Sequence, residues 1–64
     1  MKINRDKLEL ARANRCLSLR ALCRAAGVGM TTLRKITRGA DVYPHIIGRL
    51  AAELDVKVQD LLDD

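Results

Sequence analysis

The chain has no Phe, no Trp and a single Tyr among its 64 residues. That shortage excludes an aromatic stacking platform for single-stranded nucleic acid, which needs several rings along one surface. Long apolar runs are also missing: no uncharged stretch approaches the roughly 20 residues of a membrane span. The opening Met1-Lys2-Ile3-Asn4-Arg5-Asp6 is followed by no apolar segment of the signal-peptide kind. Cysteine is scarce. Cys16 and Cys23 stand seven residues apart, and one bridge is thin for a secreted scaffold. With a lone His45 they are too few for a zinc site. They read as reduced, small apolar side chains of a cytoplasmic protein. A thiol–imidazole pair from the same residues lacks an orienting group and a cleft, so no enzyme is expected. No cofactor or small-molecule ligand is expected either, because so short a chain needs its apolar residues for the core.

What is present is 48% apolar residues and a net charge of +4, the balance of a globular chain. At this length about 60% of the unfolded surface is buried, and stability is on the order of 3–10 kcal/mol. The charge is unevenly spread. Residues 1–49 hold eleven Lys and Arg against Asp6, Glu9 and Asp41, a net of +8. Residues 50–64 set only Lys57 against Glu53, Asp55, Asp60, Asp63 and Asp64, a net of −4. A basic body with an acidic end turns one face toward an anion and another away.

Apolar spacing predicts helices nearly throughout and no strand. Leu8 and Ala11 mark a first helix that Asn4 can cap, with an end blurred around Arg15 and Cys16. Ser18 is a good N-cap for a second, Leu19 to Ala26, whose Leu19, Leu22, Cys23 and Ala26 form an apolar stripe about 100° wide. Arg20 and Arg24 fall on its solvated side. Gly27 sits where a helix stops in a left-handed conformation. A third helix, Met30 to Arg38, runs from Gly29 to the next stop at Gly39. Its Leu33 and Ile36 point one way; Thr31, Arg34, Lys35 and Arg38 point the other, at i, i+3, i+4 and i+7. Pro44, well placed at a first helical position, opens a fourth helix to Leu54, and a short fifth is expected near Val58 to Leu62. Tyr43 and His45, beside Pro44, read as shaping the loop, and Leu10 as an isolated exposed side chain. No repeat, linker or low-complexity tract divides the chain, which reads as one domain over residues 1–64.

Two short helices joined by a tight Gly27-Val28-Gly29 turn, the second with a cationic outer stripe, describe a helix-turn-helix over about residues 18–39. A helix fills the major groove of duplex DNA, and its outward side chains reach base edges. The ordered set Leu17-Ser18, Leu22-Cys23, Gly27-Val28, Thr32-Leu33, Ile36, Arg38-Gly39 resembles the Cro and phage-repressor (Xre-like) helix-turn-helix family. Leu50-Ala51, Leu54, Val56 and Leu61-Leu62 continue the likeness, which covers Leu8 to Leu62. The resemblance implies an all-α, compact five-helix bundle of the lambda-repressor-like kind. It also implies a sequence-specific, duplex-DNA-binding transcriptional regulator, commonly a repressor, of bacterial or phage derivation and nucleoid-associated.

By that resemblance Met30 and Thr31 occupy base-facing positions, Lys35 a further base contact, Thr32 and Arg38 phosphate contacts, and Arg34 either. The face analysis selects Thr31, Arg34, Lys35 and Arg38; only the resemblance selects Met30 and Thr32. A homodimer on a palindromic site is expected, because one short helix reads few base pairs. Some positions depart from the family pattern. Leu19 replaces a Gln that ties the motif to phosphate. Arg12 matches an arginine whose acidic partner position holds Thr37. The turn Ala40-Asp41-Val42 is not basic, and Asp55 and Lys57 replace a common Gly and Ser. A protein-interaction module of the same fold, antitoxin-like with weak DNA binding, is the competing reading.

Overall fold

A computed structural model describes residues 1–62, so Asp63 and Asp64 of the acidic end lie outside the described residues. Four α-helices follow one another: α1 Arg5–Arg15, α2 Leu19–Ala26, α3 Met30–Thr37 and α4 Pro44–Leu54. The expected fifth helix is instead a 3₁₀ turn, Val58–Leu61. Four residues are a single turn at most, and Leu62 beyond it is extended (φ −100°, ψ 155°), paired with Ile3 in an isolated antiparallel bridge. No sheet forms among the described residues, and no helix there is long and apolar enough to cross a membrane.

Local chemistry sets the helix ends. Asn4 Oδ1 accepts the Lys7 N–H at 3.0 Å, opening α1, and Asp6 in the first turn with Arg12 and Arg15 in the last complements the helix dipole. The blurred end of α1 resolves at Cys16, which takes a left-handed conformation (φ 55°) while its N–H bonds Ala13 and Arg12 carbonyls. Ser18 Oγ accepts the Ala21 N–H at 3.0 Å to start α2. Gly27 ends it at φ 71°, and the Val28 N–H closes back on the Cys23 carbonyl at 3.0 Å. Helix α3 stops at Thr37, with Arg38 as its cap rather than its last residue. Asp55 adopts the left-handed conformation (φ 56°) that a glycine would take more cheaply. Lys57 supplies no capping side chain. Asp60 compensates from the far end of the turn, its Oδ2 accepting the Lys57 N–H at 3.1 Å.

Leu8, Leu22, Leu33, Ile36, Ile47, Leu50, Leu54 and Leu61 are fully buried, and each helix contributes to this set. Helix α2 packs most extensively on α4 and also on α3, so the turn between α2 and α3 is fixed from two sides. Val28 in that turn and Val42 after α3 are themselves buried. The N-terminal residues close over the bottom of the core: Ile3 is buried, the Asn4 N–H bonds the Leu61 carbonyl at 2.8 Å, and Met1 accepts the Val42 N–H at 2.7 Å. Leu10 is exposed, as its position opposite Leu8 suggests.

Gly27 offers a clean test of how tightly the turn is specified. A Cβ there meets nothing closer than Arg49 Nη1 at 3.9 Å, so space is available and only the positive φ opposes it. Gly27→Ala is expected to cost about 1 kcal/mol, a drop of several degrees in melting temperature for a domain this size. Urea and thermal unfolding check it.

Candidate nucleic-acid interface

Leu33 and Ile36, at 0% and 2% exposure, pin one face of α3 to the core. The opposite face is thereby fixed outward. Thr31, Thr32, Arg34, Lys35 and Arg38 are all exposed. Arg34, Lys35 and Arg38 form no ion pair among the described residues, so three cations within two turns stand uncompensated. Thr37, half-buried, turns its hydroxyl inward along the helix and donates to the Arg34 carbonyl at 2.8 Å. Arg20 and Arg24 on α2 are exposed as well, on the solvated side the sequence assigns them. Arg49 of α4 stands near Gly27, at the C-terminal end of α2 where the helix dipole favours a cation.

Met30 differs from its neighbours. It is half-buried against the core, and the Cys23 thiol lies 3.8 Å from its Sδ. Burial pushes the Cys23 thiol up from its ordinary value of 9.0, and the Arg34 charge pulls it the other way. The thiol therefore stays protonated at neutral pH and serves as the weak donor to Met30. The raised value belongs to the folded state, so its contribution to stability is present below pH 9.0 and fades as the pH climbs beyond it. Titrating the native chain with a thiol reagent is expected to give one prompt equivalent, from the exposed Cys16, and a second only on unfolding.

The arginine of α1 is answered locally rather than by α3. Arg12 pairs with Glu9 through Nη2 and donates Nη1 to the Leu17 carbonyl at 3.0 Å, while its buried Nε finds no partner among the described residues. Spacing i, i+3 made Glu9 available in the sequence, but the bend that brings the Leu17 carbonyl back was not visible there. On the loop after α3, Asp41 is exposed with Oδ1 3.6 Å from the Met1 ammonium. Tyr43, at 73% exposure, lines a shallow groove of about 140 Å³ together with Thr32 and Lys35. The sequence alone marks Tyr43 as shaping the loop and carries no signal for this shared groove.

With this geometry in place, comparison with known proteins is decisive at the level of family. Residues 7–64 match the Cro/C1-type HTH DNA-binding domain. The chain belongs to that family. It is similar to SinR in the crystal structure of that master regulator for biofilm formation in complex with DNA, with 30% identity and a TM-score of 0.82. The likeness covers 92% of this chain and 97% of the SinR chain. No curated protein matches it. The match spans α2, the Gly27-Val28-Gly29 turn and α3, and the exposed cationic face lies on α3 and its cap.

Proposed function

We propose that this Cro/C1-type domain, residues 1–64 acting as one unit, is a sequence-specific transcriptional regulator that docks α3 in the major groove of duplex DNA. The observation that carries the reading is the outward face of α3 and its cap: Arg34, Lys35 and Arg38 are exposed and make no ion pair among the described residues, while the other face of the helix is locked into the core. SinR's complex with DNA, at 30% identity over nearly the whole of both chains, supports the same use of the fold.

Thr31 and Lys35 read base edges, Arg38 and Thr32 hold phosphates, and Arg34 reaches either. Met30 contributes the part of its side chain left outside the Cys23 contact. Repression by occluding a promoter is the outcome the reading favours. An α3 of eight residues reads few base pairs. A homodimer with half-sites about one helical turn apart, on a palindrome, supplies the missing specificity.

Selection of bound sites from a random duplex library tests this. Enrichment of a palindrome with half-sites about 10 base pairs apart is the expected result. Binding with no enriched motif would instead leave a basic surface without sequence readout. The protein-interaction reading would then take its place, with Leu19, Thr37 and Asp41 as its marks.

A further inference from the structure

Helix α4 opens on a residue unsuited to the task. Tyr43 holds its N-cap position, where Ser, Thr, Asp or Asn would bond a first-turn N–H, and the Tyr43 side chain makes no such bond. The phenol makes no hydrogen bond among the described residues. The ring is nonetheless held: it stacks on His45 with centroids 5.8 Å apart and planes 17° apart. Pro44 between them fixes the backbone that sets the stack. An exposed aromatic held in this way has already lost much of the freedom that binding removes, as in recognition surfaces built on rigid Tyr.

Position matters as much as rigidity. Tyr43 lines two shallow grooves. One, of about 400 Å³, runs toward Met1 and Pro44; the other, of about 140 Å³, is shared with Thr32 and Lys35 of α3. The side chain thus borders the face assigned to DNA. The loop leading to it offers phosphate no cation, since Ala40-Asp41-Val42 carries only a negative charge. A contact from this loop to a polyanion has to come from a neutral donor, and the Tyr43 hydroxyl is one.

We infer that Tyr43 is a second DNA-contacting element, its ring and hydroxyl lying against the sugar–phosphate strand that borders the groove filled by α3. The inference rests on the proposed docking of α3. Tyrosine hydroxyls belong to the donors that fix a protein's register on the backbone without reading sequence. The donor is uncharged and releases no counterion, so its signature differs from that of Arg38.

The test is binding of the full chain to the selected duplex, or to a mixed-sequence duplex at low salt if none is enriched. Tyr43→Ala is expected to lower affinity about tenfold for every sequence alike. The slope of log affinity against log salt and the melting temperature stay unchanged. Tyr43→Phe, which keeps the ring, recovers only part of the loss. Because Tyr43 is the sole tyrosine, fluorotyrosine incorporation gives one fluorine resonance, which is expected to move on saturation with duplex. Tyr43 variants that bind as tightly as the parent while Arg38→Ala binds more weakly overturn this inference and leave the docking of α3 standing. A fluorine resonance that ignores the duplex does the same. A parent chain that binds no duplex overturns both.

Discussion

Replacing Arg34, Lys35 and Arg38 together by Ala is expected to remove nearly all binding to duplex DNA while leaving the fold intact. On the proposed docking of α3, each chain neutralises roughly four to six phosphates, so log affinity is expected to fall against log salt with a slope near −4 to −5. Arg34 and Arg38, each holding a phosphate, flatten that slope by about 0.9 apiece when removed, so the triple variant retains a slope between about −2 and −3. If affinities converge near 1 M salt, the same arithmetic gives a loss of roughly 60-fold at 0.1 M, and the lost Lys35 base contact adds about 1–3 kcal/mol. All three side chains are exposed and unpaired, so the melting temperature holds or rises as like charges are taken away. The single variants divide the role. Arg38→Ala weakens all sequences alike, whereas Thr31→Ala or Lys35→Ala shifts sequence preference by about 1–3 kcal/mol. Fluorescence anisotropy across a salt series, on matched and mismatched duplexes, checks each of these.

The second large effect is on the fold. Leu22 is fully buried on α2, the helix packed against both α4 and α3. Leu22→Ala removes its apolar contacts and leaves a void that so small a core cannot fully close, a cost of about 2–5 kcal/mol. Total stability is only on the order of 3–10 kcal/mol, so melting is expected to fall by roughly 15–35 °C. Leu10→Ala makes the matched control: the same deletion at a site 67% exposed is expected to change almost nothing. DNA binding by Leu22→Ala is lost with the fold and returns at low temperature or with a stabilising osmolyte. A variant of the α3 face stays folded and does not recover in this way. Thermal denaturation and anisotropy on the same samples separate the two.

Much of this was legible in the sequence because the signals are local. Asn4, Ser18, Gly27 and Pro44 each act within one helical turn, and the structure uses each where the sequence places it. The apolar stripe of α2 and the split faces of α3 follow from 3.6-residue spacing alone. The features that escaped depend on contacts between distant segments. Burial of Ile3 and Val42 comes from the N-terminal segment crossing to the loop after α3, a pairing no periodicity encodes. The expected last helix shrinks to a 3₁₀ turn because Leu62 is drawn into an extended pairing with Ile3. Arg12 settled on Glu9 and the Leu17 carbonyl once its usual partner position held Thr37. At the candidate interface, the cationic face of α3 was readable from spacing, but the nearness of Tyr43 to that face was not. Its place beside Thr32 and Lys35 depends on the path of the loop between α3 and α4, which brings them to one groove.

The measurement closest to the central claim is a titration of the isotope-labelled chain with duplex, followed by nuclear magnetic resonance at low salt. Docking of α3 predicts that the amide shifts concentrate on Met30–Thr37, with smaller changes at the start of α2 and near Tyr43. The segment from Asp55 through the 3₁₀ turn, on the acidic end, stays unchanged. Shifts confined to α1 or to that turn, or scattered evenly over every basic residue, would contradict the assignment of the face.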